Sequence, residues 1–238
     1  MYIYQLNDSN VFPPAHAAIA EGLLAIGGDL KPERLIKAYS EGIFPWYEED
    51  QPILWWSPDP RLILKPEDVY VSKSLKKTIR EKHFEISFDA HFEAVIDSCA
   101  NTLREGSEGT WITPELRSAF IELHKMGLAH SVEAIKKGKL VGGLYGLSLG
   151  TAFFGESMFH IEKDASKVAF VYLVDFLRTN AFELIDAQQD TPHLRSFGAK
   201  TIARSSFLEI LKTIIANPSL VGNWGNGNYS RIKIDYQL

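Results

Sequence analysis

A chain of 238 residues with 45% hydrophobic side chains has enough apolar material for one large core, or for a medium core beside a small one. Its formal net charge of -5 excludes a surface that attracts nucleic acid everywhere, so any RNA partner has to be held by a local patch. No run reaches the roughly 18 apolar residues of a bilayer span and no leader pattern opens the chain, so a cytoplasmic protein with no membrane partner is expected.

The first stretch is rich in glycine, proline and aromatic residues. Pro32 opens a short helix with Leu35, Ile36 and Tyr39 on one face, and Gly42 ends it. The aromatic segments GIFPW (42–46) and ILWWSPDPR (53–61) follow, and a boundary near Leu62 divides a small N-terminal domain (1–62) from a larger one (63–238). Beyond it, helices are predicted over 73–82, 91–101, 114–126, 165–179 and 205–215. Thr113 is the expected cap of the third, ahead of Pro114, with Leu116, Phe120 and Leu123 at helical spacing. The runs HFEISF, HSVEAI, LVGGLYGLSL, TAFFGESMF and FELIDAQ read as strands, and a turn at 136–139 joins two of them as a hairpin. Antiparallel strands, then a helix, then another strand predict an α+β layer rather than a regularly alternating parallel fold. The single cysteine, Cys99, has no cationic motif nearby and reads as buried filler.

If FELIDAQ is a strand, Asp186 and Gln188 project from one face and Ile185 and Ala187 from the other. Glu156 lies in the preceding run, where Gly155 and Ser157 leave the backbone accessible to a ligand. The alternative is that all three polar residues are solvated on an exposed sheet face. Gly146–Gly150 matches G-x-S-x-G, with Asp186 and His193 following in hydrolase order. A nucleophile elbow needs a helix after the serine, and here another strand follows, so Ser148 is expected in a hairpin turn. Zinc spacing is missing and there is no second cysteine, so no metal is expected. Between Met158 and Ala165 the chain has no glycine, which argues against a pyrophosphate at that helix start.

Lys73, Lys76, Lys77 and Arg80 fall on one helical stripe and form a candidate phosphate-binding face, although most such runs are merely solvated. The tryptophans Trp46, Trp55, Trp56 and Trp111 lie in turn-like or short extended segments, where core packing is the ordinary reading. An exposed indole can instead stack on a nucleobase, worth about 1–3 kcal/mol. Trp111, preceded by EGSEGT, is the one most expected at a surface.

Together the segments GLLAIGGDLKPERLIKAYSEGIFPW, WWSPDPR, TWI, AHSVE, LVGGLYG, FFGESMF, ASK, IDAQ and HLRSFGA resemble the leucyl/phenylalanyl-tRNA-protein transferase family, over nearly the whole chain. The resemblance implies a small N-terminal domain followed by a GNAT-like (acetyltransferase-like) domain. It implies transfer of leucine or phenylalanine, with methionine left open, from aminoacyl-tRNA to proteins that begin with Lys or Arg, marking them for N-degron degradation. Glu156, Asp186 and Gln188 match the catalytic motifs GES and IDxQ, and Trp46 and Trp111 match aromatic positions around the tRNA's terminal adenosine. Leu144, Phe153, Met158, Leu173 and Ile185 correspond to the aminoacyl side-chain pocket, and the basic stripe is assigned to tRNA phosphate. The chain departs from frequent family residues at Leu144, Asp164, Leu173 and Ala187; Asp164 is expected to cap the helix as Asn would.

Because an aminoacyl ester is already activated, no cofactor, metal or acyl-enzyme is expected, and alignment of the two reactants supplies much of the rate. In this reading Asp186 holds the Gln188 NH₂ group, Gln188 turns its oxygen to the attacking amine, and Glu156 orients the donor's amino group or the acceptor. A coenzyme A-dependent N-acyltransferase, a serine hydrolase and a non-catalytic tRNA-binding module are the rivals.

Overall fold

The computed structural model describes residues 2–102 and 110–234. Strands β1 (Tyr4–Leu6), β2 (Leu23–Gly27), β3 (Phe44–Pro45) and β4 (Leu54–Trp56) form a four-stranded sheet in the order β1-β2-β4-β3. Helix α1 (Pro32–Ser40) lies between β2 and β3, opened by its proline and closed at Gly42, whose φ is 75°. A Cβ at Gly42 would also stand 2.6 Å from Leu208 Cδ2, so both the left-handed turn and the packing require glycine.

The remaining strands are β5 (Arg61–Leu64), β6 (Glu85–Phe88), β7 (Ala129–Lys136), β8 (Lys139–Leu149), β9 (Ala152–His160), β10 (Leu184–Asp186) and β11 (Lys200–Ile202), followed by a hairpin of β12 (Ser219–Asn223) and β13 (Asn228–Ile232). β5 to β11 form a seven-stranded sheet in the order β11-β5-β10-β9-β8-β7-β6. β6 to β9 are antiparallel, whereas β10 runs parallel to β9. The predicted helices appear as α2 (Lys73–Arg80), α3 (Phe92–Ala100), α4 (Pro114–Lys125), α5 (Ala165–Thr179) and α7 (Arg204–Ile215), with a short α6 (Pro192–Arg195) that periodicity could not reveal. Thr113 caps α4 by accepting from Leu116 N at 3.2 Å. Asp164 instead takes a left-handed conformation (φ 66°) and makes no side-chain cap bond, because its backbone turns the chain into α5 where Asp and Asn are both tolerated.

Alternation in the strands sorts side chains to two faces. Leu144, Phe153 and Ile185 join α5 residues such as Phe170 and Leu173 in one cluster. Tyr145, Phe154 and Leu184 join Tyr39, Phe120, Phe207 and, from the small sheet, Leu24 and Trp55 in the other. Fully burying a side chain such as Phe154 or Leu177 contributes about 1.5–3 kcal/mol, so these clusters outweigh helix propensity in fixing the sheet. Cys99 is buried, as expected.

Two local expectations are corrected. Ser148 is not in a turn: it is fully buried inside β8, and the turn lies one residue past that strand's end, at Gly150 and Thr151. FELIDAQ does not run as one strand either, since β10 stops at Asp186 and Gln188 has φ 53°.

Candidate active site

The ladder between β9 and β10 pairs Leu184 with Ala152, Ile185 with Phe153 and Asp186 with Phe154, and goes no further. β10 ends there while β9 continues to His160, so the two strands part and leave a notch. The β8–β9 register slips at the same level. Tyr145 pairs with Ser157 and Gly146 with Gly155, which leaves Glu156 as the extra residue of a β-bulge. A bulge re-aims the side chain it carries.

A cavity of about 500 Å³ occupies this notch. Leu144, Phe153, Met158, Leu173 and Ile185 all line it, forming with Phe170 an apolar wall beneath α5. Gly146 makes room for that wall: a Cβ there would lie 2.6 Å from Phe153 Cζ. Glu156, Asp186 and Gln188 line the same cavity, as do Trp46 and Trp111.

The polar residues are wired differently from the sequence expectation. Asp186 is fully buried and held bidentately by Arg61, with Nε donating to Oδ1 at 2.8 Å and Nη2 to Oδ2 at 2.6 Å. Asp186 Oδ1 also accepts from the Gln188 backbone N–H at 3.0 Å. The Gln188 amide goes elsewhere, donating Nε2 to Glu156 Oε1 at 3.3 Å. Thus Glu156, not Asp186, orients the amide, because the left-handed turn swings Gln188 off the β10 face.

Glu156 is half-buried, but its cavity is walled by protein, and desolvation pushes its pKa from 4.5 to about 8. The neighbouring Asp186 raises it as well, while the Tyr39 hydroxyl and Arg61 pull it down. Tyr39 comes from α1 and is fully buried; burial and the nearby Glu156 push its own pKa well above 10. Its hydroxyl makes no hydrogen bond of ordinary geometry, so its effect on Glu156 is that of a close dipole rather than a tight bond.

The indoles are braced by their neighbours. Trp46 is 39% exposed, and Trp56 Nε1 donates to its carbonyl at 2.7 Å while the two rings meet edge to face at 5.7 Å. Tyr47 Oη and Thr113 Oγ1, 3.0 Å apart, tie the Trp46 segment to the Trp111 segment. Trp111 is half-buried; of the EGSEGT run before it, 105–109 lie outside the described residues. Trp55 is core, with Nε1 donating to Gly27 O at 2.8 Å.

Lys73, Lys76, Lys77 and Arg80 are exposed along α2, away from the cavity lining, and Lys77 meets Glu81 at 3.7 Å. The hydrolase arrangement does not form, because Ser148 is buried in a strand and Asp186 is committed to Arg61. His193, from α6, lines the cavity instead. Among the described residues no cluster of His, Cys, Asp and Glu could hold a metal ion, and no helix is long and apolar enough to cross a membrane. Sequence reasoning missed Arg61 and Tyr39. The signal for Arg61 was a cation heading the apolar run RLIL; a lone tyrosine on an apolar helix face gave none.

The description "leucyl/phenylalanyl-tRNA protein transferase" belongs to the family model that matches residues 63–212, and the model of that family's N-terminal domain matches 28–59. A leucyl/phenylalanyl-tRNA-protein transferase of Desulfatibacillum aliphaticivorans is 53% identical over 94% of this chain and 96% of its own. One of Maridesulfovibrio salexigens is 49% identical over 98% of both chains. A solved structure of a functionally unknown protein from Staphylococcus epidermidis covers 76% of this chain and 68% of its own at 12% identity and TM-score 0.41. Matched across nearly its full length, the chain belongs to the leucyl/phenylalanyl-tRNA protein transferase family.

Proposed function

We propose that this protein transfers leucine or phenylalanine from aminoacyl-tRNA to the α-amine of proteins that begin with Lys or Arg, in the cytoplasm, marking them for N-degron degradation. The observation that carries the reading is an apolar pocket that ends in a carboxyl–amide pair, Glu156 and Gln188, beside the two indoles Trp46 and Trp111. The aminoacyl side chain enters between Leu144, Phe153, Met158, Leu173 and Ile185. The terminal adenosine lies against Trp46 and Trp111, and the stripe of Lys73, Lys76, Lys77 and Arg80 meets tRNA phosphate. Antiparallel β6 to β9, the crossover α5, parallel β10 and the notch between β9 and β10 support reading the part after Leu62 as GNAT-like. The two-domain division, 1–62 and 63–238, is supported by the small sheet lying wholly before that point.

In the reaction the α-amine adds to the ester carbonyl, the amine becomes cationic and loses a proton, and the tRNA 3′ oxygen leaves. Glu156 is suited to receive that proton, since a base works best with a pKa near the working pH and its own lies at about 8. Gln188, held through its NH₂ group, presents its oxygen to the amine and positions it. Asp186, neutralised by Arg61, does not contribute free charge. Glu156 therefore remains, among the described cavity residues, the carboxyl that favours a cationic acceptor, and it does so in its ionised form, whose share grows as pH rises toward and past 8.

Peptides identical except for a first residue of Arg, Lys, Ala or Glu, assayed with Leu-tRNA, test the acceptor choice. Arg and Lys lead in kcat/KM, and their advantage grows as pH rises through about 8 and Glu156 ionises, while salt changes it little because the carboxyl is shielded from solvent. Equal transfer to the Glu peptide would remove the N-degron assignment while leaving aminoacyl transfer intact.

Donor choice rests on wall volume. Leu173 is 1% exposed and lines the cavity, so Leu173→Phe narrows it. Pocket discrimination of about 1–3 kcal/mol for one methylene sets the scale, and the Leu-tRNA to Phe-tRNA ratio of kcat/KM should rise about tenfold. An unchanged ratio would place Leu173 outside the donor's reach.

A further inference from the structure

Resting on the aminoacyl-transfer reading, we infer that Arg61 is a positioning residue for transfer: it clamps the end of α1 to the end of β10 and thereby fixes Gln188 beside Glu156. Arg61 is fully buried and every part of its guanidinium is engaged. Nε and Nη2 grip the two Asp186 oxygens, and Nη1 donates to Gly42 O at 3.1 Å. The rings of Phe44 and Phe207 flank it, with centroids 4.9 and 4.5 Å from Cζ.

Each contact leads into the site. Gly42 ends the helix that carries Tyr39 toward Glu156, and Phe44 precedes Pro45 and Trp46 on the cavity wall. Asp186, locked by two donors, offers Oδ1 to the Gln188 N–H. That bond holds a non-glycine residue at φ 53°, a conformation that persists only where the surroundings impose it. A buried ion pair brings little net stability compared with apolar residues of the same volume, so stability alone gives this arrangement no advantage. Only a planar, bidentate cation fills it, and a lysine ammonium reaches one oxygen as a point charge.

Arg61→Lys and Arg61→Gln are compared with wild type for folded fraction, for kcat and KM with Leu-tRNA and an Arg-initiated peptide, and for the pH midpoint of kcat. Arg61→Lys is expected to keep the fold and both KM values within about twofold while kcat falls at least about tenfold, the signature of a lost alignment. In Arg61→Gln the midpoint moves to higher pH, since the guanidinium is one of the groups that hold the Glu156 pKa down. If Arg61→Gln fails to fold, the kcat of Arg61→Lys per folded molecule decides the matter. A kcat per folded molecule within twofold of wild type, or a loss confined to KM, overturns the clamp. A wild type that transfers nothing refutes the aminoacyl-transfer reading itself, whereas a wild type matched by Arg61→Lys refutes only the role of Arg61.

Discussion

Glu156→Gln is expected to lower kcat by about 10²–10⁴-fold, the usual contribution of a positioned proton acceptor. The substitution keeps the bulge and the shape of the side chain, and its amide oxygen still accepts from Gln188 Nε2. What it removes is the group that titrates at about 8. With saturating substrates the wild-type kcat rises with pH and bends near 8, whereas Glu156→Gln loses that bend; the acceptor amine's own ionisation is common to both proteins. Stability moves the opposite way. The folded pKa of Glu156 lies above its ordinary 4.5, so the folded state binds more protons, and the group's contribution to stability is lost as pH rises toward 8. The variant therefore gains stability relative to wild type between pH 5 and 8. Thermal unfolding at those two pH values, beside kcat, separates loss of chemistry from loss of fold; a variant that is inactive and also less stable at pH 8 would contradict this role.

Asp186→Ala should damage both activity and fold. Removing it leaves Arg61 as a buried guanidinium without its carboxylate, and breaking such a pair from one side costs about 3–5 kcal/mol. For a chain of this size the melting temperature falls by about 10 °C. Gln188 loses its backbone anchor at the same time. The double substitution Arg61→Met with Asp186→Leu replaces both charges by apolar side chains and is expected to recover most of the stability and none of the activity. Urea midpoints for the single and double variants, each paired with a transfer assay, check this. A double variant as active as wild type would show that the ion pair has no part in the reaction.

These effects mark where the sequence could and could not be read. Periodicity located α2, α3, α4, α5 and α7, because apolar positions recur over two or more turns. It does not find β5 and β11, and it runs past the end of β10, because strands of three or four residues are fixed by neighbours rather than by their own pattern. The motifs named Glu156, Asp186 and Gln188, and the structure brings them to one cavity with Trp46, Trp111 and the five apolar residues. The wiring was not legible. A period of two put Asp186 and Gln188 on one face, and only the left-handed backbone of Gln188 and the bulge at Glu156 pair the amide with Glu156. Arg61 lies 125 residues from Asp186, a separation that no local pattern bridges.

Mass spectrometry of an Arg-initiated peptide incubated with this protein and Leu-tRNA, with leucyl-coenzyme A as a parallel donor, separates aminoacyl transfer from its rivals. A product one leucine heavier, joined by an amide at the peptide's first residue, is expected from Leu-tRNA alone, and none when the peptide's α-amine is acetylated. Leucine appearing from leucyl-coenzyme A, or free leucine released from Leu-tRNA with the peptide unchanged, would contradict it.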